Sequence, residues 1–335
     1  METIKKIIAL LLSPFTFLAS VVSTYAYLWF EPKWSEISQP DAAPPPAAEA
    51  FASLEAARAA GGGWYVTMDE DFAGDALPAP WVPSPHGLRN KEYWCDNMLD
   101  AGEDGKIKIL AAKLDENACG VCPAAAEFAS GIETRQFVGG VSVPTFEQAF
   151  GYYECRVKVP ANTGMWSAFW LQSNSQGRVG ARGKDGTEID IYESAFLFTN
   201  PQVAGNALLW DGYGGRFSRV ADSMADTGVN LYEGWHTYSL LWTPERYTFF
   251  VDGKATWQTN AGGVSRVPAF LRLTTEIRRG ETGPYGVALG EFTNTKENPA
   301  VFEIDYVKVY QHTDFLGAVR AAGDFRALKV PGFMQ

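Results

Sequence analysis

The stretch Glu188-Ile-Asp-Ile-Tyr-Glu193 places three carboxylates inside a segment that otherwise favours a β-strand. Side chains alternate across a strand, so Glu188 and Asp190 face one side while the two isoleucines face the other. Glu193 lies at an odd offset from Glu188 and would point away on a regular strand. One bulged residue at or near Tyr192 would return Glu193 to the acidic face. The stretch therefore predicts a bulged strand with three acids on one face.

Aromatic residues come shortly before the acidic strand. Residues 164–171 read GMWSAFWL, and Trp166 and Trp170 are four apart, so they share a strand face. Three neighbouring carboxylates repel each other, so one is expected to hold a proton at neutral pH, which separates an acid from a nucleophile. Such a pair beside flat apolar rings is what glycosidic-bond chemistry requires. A solvated acidic strand edge is the alternative, but it would not need tryptophans close by.

The rest of the chain has a β-type pattern. Short runs of β-branched and aromatic residues alternate with turn clusters, for example at 153–159, 247–251 and 301–310. The pair Asp252-Gly253 predicts a tight hairpin. Because no long amphipathic helix separates the runs, a parallel α/β sheet is not expected. The pattern predicts an all-β fold of two stacked antiparallel sheets.

Seven further segments accompany the acidic strand in a fixed order. Together with Glu188–Glu193 they resemble glycoside hydrolase family 16, in the bulged form of its signature found in laminarinases, agarases and carrageenases. The resemblance runs from about Trp64 to Gln311. The segments are 69–72 (DEDF), 130–134 (SGIET), 150–160 (FGYYECRVKVP), 164–170 (GMWSAFW), 235–245 (WHTYSLLWTPE), 250–253 (FVDG) and 302–310 (FEIDYVKVY).

The resemblance implies a fold and a reaction. The fold would be a β-jelly roll of the concanavalin type, whose curved inner sheet forms a substrate cleft. Glu188 would be the nucleophile, Glu193 the acid and then the base, and Asp190 would hydrogen-bond within the pair and set its protonation states. The expected reaction is hydrolysis with retention of internal β-1,3 or mixed β-1,3/1,4 glucan bonds. No cofactor is expected for catalysis.

The resemblance also assigns binding residues. The resemblance places Trp166, Trp170 and Glu276 in the cleft. The alternatives are that the two tryptophans fill the sandwich core and that Glu276 is a surface acid. Asp305 resembles one ligand of the family's structural calcium, although calcium takes about six to eight oxygens and a hydrogen bond to a neighbouring strand is the alternative. Trp210 and Tyr213 lie in a glycine-rich turn at 209–214 (LWDGYG), which we expect to border the cleft. The predicted substrate-binding residues are Trp166, Trp170, Trp210, Tyr213 and Glu276.

Other functions stay open on the same residues. A transglycosylase would use the same intermediate, and a hydrolase of agar, porphyran or carrageenan would share the hexapeptide. A non-catalytic carbohydrate-binding protein is a further alternative, against which the three retained acids argue. Two strands depart from the family pattern, because 206–210 (NALLW) has Leu where many laminarinases have His, and 270–276 (FLRLTTE) replaces an apolar run. Both departures concern the substrate and not the reaction class.

The composition is globular and acidic. The formal net charge is −11 and the sequence pI is about 4.9. This charge argues against nucleic acid as a partner, because phosphate binding needs a basic surface. It also disfavours heavily sulfated polysaccharides, apart from a local contact of a sulfate with Arg278 and Arg279. A polysaccharide remains the expected partner.

The N-terminal part predicts export. Lys5 and Lys6 precede an apolar run at 7–30 that is long enough to span a bilayer. Either a cleaved signal peptide or a retained signal-anchor fits, and both place the domain in the periplasm, at the cell surface or outside the cell. The predicted boundaries are 1–30 for the signal or anchor, 31–63 for a linker rich in Pro, Ala and Gly, 64–311 for the catalytic domain and 312–335 for a tail. Within the linker, 52–60 could form a short helix.

Four cysteines fit an exported protein. An even count suggests disulfides, with three possible connectivities. Cys119 and Cys122 favour a loop disulfide over a metal or redox site, because no second such pair or nearby His completes them. Cys155 lies in a predicted strand and could be a buried thiol. The fourth is Cys95.

Overall fold

The computed structural model of the chain describes residues 50–102, 104–118, 120, 125–176, 186–195, 200–210, 220–281 and 288–319. Several predictions concern residues outside these ranges. They are the signal or anchor at 1–30, the linker up to residue 49, the tail from residue 320, Tyr213, Cys119 and Cys122.

The described residues form twenty strands and little helix. The first ten strands are β1 (Trp64–Glu70), β2 (Val82–Pro83), β3 (Gly87–Arg89), β4 (Glu92–Trp94), β5 (Leu99–Gly102), β6 (Lys106–Leu114), β7 (Ala126–Ala129), β8 (Gly131–Glu133), β9 (Arg135–Val138) and β10 (Val141–Pro144). The others are β11 (Gly151–Lys158), β12 (Met165–Gln172), β13 (Glu188–Glu193), β14 (Val203–Leu209), β15 (Val220–Asp226), β16 (His236–Trp242), β17 (Tyr247–Val251), β18 (Lys254–Thr259), β19 (Phe270–Ile277) and β20 (Ala300–His312). Helix α1 spans Leu54–Ala59, and 3₁₀ helices span Asp96–Met98 and Thr313–Ala318.

Eighteen of the described strands build a sandwich of two sheets, and β9 and β10 form a separate two-stranded sheet. Within the described ranges, a seven-stranded sheet runs β15-β14-β13-β12-β19-β8-β2, and we call it the inner sheet. The outer sheet has eleven strands, with a central path β18-β17-β16-β11-β20-β6-β7-β4-β3 onto which β1 and β5 pair. Neighbouring strands are antiparallel apart from β4 and β7, which pair in parallel. The predicted all-β jelly-roll sandwich of two antiparallel sheets is confirmed.

The core between the sheets is aromatic. Tyr192 of the inner sheet stacks on Tyr238 of the outer sheet, with ring centroids 3.8 Å apart. Ile189, Phe169 and Leu273 of the inner sheet are also fully buried. Burial of such side chains is the main favourable term in folding, so it fixes which face of each inner strand points inwards.

The predicted hairpin is confirmed between β17 and β18. Val251 pairs with Lys254, so the loop has two residues, Asp252 and Gly253. Their φ angles are 48° and 74°, which is the left-handed region that a type I′ turn needs at both positions.

The predicted linker and tail contact the domain where the structure describes them. Helix α1 confirms the short helix expected at 52–60, and Ser53 caps it by accepting a hydrogen bond from the Ala56 amide. Phe51 pairs with Tyr65 at the start of β1. The Thr313 amide, at the start of the tail, donates to the Gly63 carbonyl at 3.1 Å. The domain boundaries themselves stay a prediction.

Two of the four cysteines lie within the described ranges. Cys155 is a buried free thiol in β11, as expected, and Cys95 is buried as well. Among the described residues, no helix has the length and apolar character needed to cross a membrane. The export and disulfide predictions otherwise concern residues outside the described ranges and stay predictions.

Candidate active site

The acidic strand β13 contains the predicted bulge, and its extra residue is Ile191. Phe169 of β12 pairs with Tyr192, but the next residue, Trp170, pairs with Asp190. Ile191 and Tyr192 are therefore two consecutive residues that both point into the core, and each is 1% exposed. The bulge lets both apolar side chains stay buried, and it turns Glu193 to the face of Asp190.

Asn206 of β14 supports the bulge from the neighbouring strand. Asp190 pairs with Ala207 and Glu193 with Gly205, so Asn206 lies opposite the bulged residues. Its side-chain Nδ2 donates to the Ile191 carbonyl at 2.6 Å. Asn206 is only 3% exposed, so this bond satisfies a buried carbonyl that the interrupted ladder leaves without a strand partner.

The three acids line one cleft, on the face of the inner sheet that points away from the outer sheet. Trp166, Trp170 and Glu276 line the same cleft, as predicted. The other lining residues come from β3, β12, β19 and the turn after β19. The full set is Arg89, Trp166, Ala168, Trp170, Glu188, Asp190, Glu193, Thr274, Glu276 and Arg278.

Side chains of β12 orient two of the acids. The indole Nε1 of Trp166 donates to Glu193 Oε1 at 2.8 Å. The amide Nε2 of Gln172 donates to Glu188 Oε2 at 3.2 Å. Trp170 instead donates its Nε1 to Thr274 Oγ1 at 3.0 Å, so its ring is held as part of the cleft floor.

Burial raises the pKa of all three acids. Burial, assisted by the charge of Glu193, raises the pKa of Glu188 to about 8. Burial raises the pKa of Glu193 to about 7, although the Trp166 hydrogen bond opposes the rise. Burial and both glutamates raise the pKa of Asp190 well above its usual value. The cluster can therefore supply an acid and a base at one pH near neutrality.

Glu276 is held differently, by what we call the arginine clamp: Arg89, Asn90 and Arg278. Arg89 Nε donates to Glu276 Oε1 at 2.8 Å, and Arg278 Nε donates to Oε2 at 2.7 Å. Asn90 Nδ2 also donates to Oε2, at 2.7 Å. Burial alone would raise the pKa of Glu276, but the two arginines outweigh it and hold the pKa below its usual value. Glu276 is therefore a fixed anion beside the proton-holding acids.

A family comparison agrees with this arrangement. Residues 106–272, from β6 into β19, match the family model of Glycosyl hydrolases family 16. The chain belongs to this family. The matched range includes the whole acidic strand and both cleft tryptophans.

Two curated relatives are β-glucanases. The chain is 28% identical to the Beta-glucanase of Fibrobacter succinogenes over 207 residues, which cover 62% of this chain and 55% of the relative. It is 29% identical to the Beta-glucanase of Rhodothermus marinus over 274 residues, which cover 74% and 85%. A third relative, Endo-1,3-1,4-beta-glycanase ExsH of Rhizobium meliloti, is 25% identical and matched over 31% of its length. The chain thus spans about half of the first of these family 16 relatives and a third of the last.

Solved structures confirm the family 16 fold. Porphyranase B from Zobellia galactanivorans aligns with a TM-score of 0.58 at 19% identity, covering 82% of this chain and 98% of that one. The laminarinase from Flavobacterium sp. UMI-01 aligns with a TM-score of 0.53 at 24% identity, covering 73% and 100%. At these identities the likeness concerns the fold alone.

Trp210 lies away from the cleft, contrary to its predicted role. Leu209 pairs with Glu188 and shares the cleft face, so the next residue along the chain, Trp210, points to the other side. Its ring lies on Gly262, where a Cβ would come within 2.5 Å of the ring, and Trp210 is only 6% exposed. Tyr213, predicted beside it, is outside the described residues.

Asp305, the predicted calcium ligand, contacts a cation of the protein itself. Its carboxylate forms an ion pair with Arg156 of the neighbouring strand β11. Among the described residues, no group of three His, Cys, Asp or Glu side chains could hold a metal ion. The side chain thus follows the alternative of a bond to a neighbouring strand, and the structural calcium stays a prediction.

The sequence analysis did not predict Arg89 or Thr274 in the site, and it expected Arg278 only to contact a sulfate group of a substrate. Thr274 and Arg272 could have been found, because they lie two and four residues before Glu276 on a strand and so share its face. Arg89 carried no such signal. It belongs to β3, and 187 residues separate it from Glu276.

Proposed function

We propose that this family 16 chain is an endo-acting retaining β-glycanase, which hydrolyses internal glycosidic bonds of a polysaccharide by double displacement. One observation carries the proposal: Glu188, Asp190 and Glu193 line a single cleft beside Trp166 and Trp170. Buried carboxyls with raised pKa values can act as an acid and a nucleophile, and indole rings offer flat apolar surfaces to sugar rings.

In the first step, the Glu188 carboxylate attacks the anomeric carbon while the bond to the leaving oxygen breaks. The Glu193 carboxyl gives its proton to that oxygen, and a covalent glycosyl-enzyme forms. In the second step, the Glu193 carboxylate takes a proton from water, whose oxygen displaces Glu188 from the anomeric carbon. Two inversions leave the configuration retained.

The neighbouring groups have supporting roles in this proposal. The Trp166 N–H fixes the orientation of the Glu193 carboxyl, since it donates to Oε1 and leaves Oε2 for the leaving oxygen. Asp190 lies between the two glutamates along β13, and its raised pKa lets it hold a proton and hydrogen-bond within the pair.

The proposed substrate is a β-1,3 or mixed β-1,3/1,4 glucan. The names of the relatives support this choice, since two are β-glucanases and a third is an endo-1,3-1,4-β-glycanase. Glu276 would accept hydrogen bonds from sugar hydroxyls with its remaining lone pairs. We further propose export to the periplasm, cell surface or medium, which Lys5, Lys6 and the apolar run at 7–30 support.

Reducing-sugar release tests the proposal. The full chain is incubated with laminarin, lichenan, agarose, porphyran and carrageenan. We expect release from a glucan, an early fall in polymer size and retained configuration in the ¹H NMR spectrum of the first products. Glu188→Gln should lower kcat/KM by more than about a thousandfold. The matched variant Glu303→Gln, in the outer sheet, should leave it unchanged.

Each contrary result has its own meaning. Full activity in Glu188→Gln would disprove the nucleophile assignment. Tight laminarin binding without product would indicate a carbohydrate-binding protein, and products longer than the substrate would indicate a transglycosylase. Release from agarose, porphyran or carrageenan alone would replace the glucan by a galactan.

A further inference from the structure

Glu188 presents an electrostatic problem if it is a nucleophile, because a nucleophilic carboxyl must be ionised. It is 5% exposed and shares its strand face with Asp190 and Glu193. The other charged groups that face it are Arg272 and Glu276 from β19 and Arg89 from β3. Arg89 and Glu276 are engaged with each other in the arginine clamp, at 2.7 and 2.8 Å.

Arg272 lies on the cleft face of the inner sheet, in β19, two strands from β13. It pairs across the sheet with Trp170, which in turn pairs with Asp190. Its guanidinium carbon lies 4.0 Å from the centroid of the Trp170 ring. The side chain is 2% exposed, so its charge acts with little screening by water.

Arg272 belongs to a buried triad with Glu133 and Arg135. Its Nε lies 2.8 Å from Glu133 Oε2. Arg135 donates to both oxygens of Glu133, at 2.9 to 3.1 Å. Two arginines and one glutamate leave one surplus positive charge. A buried surplus charge is costly unless an opposite charge lies near, and the acidic strand supplies that charge.

Gln172 links the triad to the nucleophile. Arg272 Nη1 donates to Gln172 Oε1 at 3.4 Å, and Gln172 Nε2 donates to Glu188 Oε2 at 3.2 Å. An arginine can only donate, so it selects the orientation in which the amide oxygen faces it. The amide nitrogen then donates to Glu188 Oε2, and also to Gln176 Oε1 at 3.0 Å. A hydrogen bond donated to a carboxyl oxygen favours the carboxylate over the acid.

We propose that Arg272 is a positioning residue that favours the ionised, nucleophilic form of Glu188 against the effect of burial, through its own buried charge and through the amide of Gln172. This inference rests on the proposed function, because double displacement requires an ionised Glu188 and Arg272 supplies a reason for that ionisation. It also gives Arg272 a role in the reaction, where the departure of 270–276 from the family pattern indicated only an influence on the substrate.

The pKa shifts agree in direction. Burial and Glu193 raise the pKa of Glu188, and Arg272 comes first among the groups that lower it, followed by Arg89. Burial lowers the pKa of Arg272 itself to about 9, while Glu133 opposes this. Arg272 thus keeps its charge at neutral pH, and removing the charge should raise the pKa of Glu188.

The test is the pH profile of kcat/KM for the full chain on the glucan that the wild type cleaves. The acid limb reports ionisation of the nucleophile. Arg272→Met should move this limb to a pH about one unit higher. At pH values below the limb, kcat/KM should therefore fall about tenfold. Arg272→Lys keeps a positive charge, so its acid limb should lie close to that of the wild type. Arg135→Met removes a charge from the same triad but does not contact Gln172, so it should lower the melting temperature and move the limb by less than Arg272→Met does.

Two further measurements keep the proposal testable. If Arg272→Met does not fold, Gln172→Leu removes the link and should also raise the acid limb, by less. If the wild type cleaves no polymer, the proposed function fails, and ¹³C NMR titration of the Glu188 carboxyl still reports on Arg272 without a substrate. A higher Glu188 midpoint in Arg272→Met supports the proposal. A limb or midpoint that does not move in a folded Arg272→Met protein overturns it, as does an equal shift in Arg135→Met.

Discussion

Glu188 and Glu276 face the same cleft and are almost equally buried, at 5% and 6% exposure, yet their pKa values move in opposite directions. Glu276 receives charged donors from Arg89 and Arg278, so it stays an anion. Glu188 lies among other carboxyls, so it tends to hold a proton. Burial alone therefore does not set the charge of a cleft acid. The charges of its partners decide the sign.

The largest expected effect comes from removing the charge of Glu276, the anion that the arginine clamp holds. Glu276→Gln keeps the side-chain shape but leaves Arg89 and Arg278 without their counter-charge. We expect the free energy of unfolding to fall by about 3 kcal/mol, because two largely buried cations lose their partner. Urea denaturation at pH 7 measures this change.

Glu281→Gln is the matched control for the clamp. Glu281 pairs with Lys91 and with the outer end of Arg278, and its side chain is 26% exposed. Its replacement should cost less than about 1 kcal/mol. Equal losses in the two variants would show that the clamp does not differ from a surface ion pair.

The second effect concerns the pH dependence of stability, where the two acids should behave oppositely. The Glu188 carboxyl ionises near pH 4.5 in the unfolded chain and near pH 8 in the folded protein. The folded state therefore binds the extra proton within this window, and its stability falls as the pH rises from 4.5 to 8. Glu276 has a lowered folded pKa, so its contribution is present above pH 4.5 and is lost as the pH falls below that value.

Glu188→Gln should therefore stabilise the protein at pH 8 by roughly 2 kcal/mol and have little effect below pH 4.5. Urea midpoints measured between pH 4 and pH 8 test this expectation. A variant that is less stable than the wild type at pH 8 would contradict the raised pKa of Glu188.

The smallest expected effect concerns the backbone of the acidic strand. The clamp holds Glu276 through its side chain, whereas Asn206 supports Glu193 through the bulge in the backbone of β13. Asn206→Ala removes the bond to the Ile191 carbonyl, and loss of a buried hydrogen bond costs about 1–2 kcal/mol. Because the bulge directs Glu193, we expect kcat to fall about tenfold while KM changes little. Gln258→Ala, a buried amide of the outer sheet, should cost similar stability and leave kcat unchanged. Unchanged kcat in Asn206→Ala would show that the bulge needs no such support.

Much of the fold and of the acidic strand could be predicted from local patterns. Strand alternation placed Glu188 and Asp190 together, and the odd offset of Glu193 from Glu188 predicted a bulge that returns it to the same face. The prediction set the bulge at or near Tyr192, and the structure has it one residue earlier. The hairpin at Asp252 and Gly253 followed from turn chemistry alone.

The position of Trp210 could not be predicted from the sequence, because it depends on contacts in the folded protein. Trp210 seemed suited to a cleft because it is aromatic and lies near a glycine-rich turn. The register of β13 with β14 decides that its neighbour Leu209 shares the cleft face, so Trp210 points away. An aromatic residue serves a core and a sugar site equally well, so its type could not distinguish the two.

The sequence by itself determined the all-β class, the bulged acidic strand and the strand face that carries Trp166 and Trp170. These follow from side-chain alternation, which acts over a few residues. Only the tertiary structure decided which charges meet in the cleft, because Arg89 reaches Glu276 across 187 residues and Arg272 meets Glu133 from another strand. Coulomb interactions depend on distance in space, and no local pattern encodes that distance.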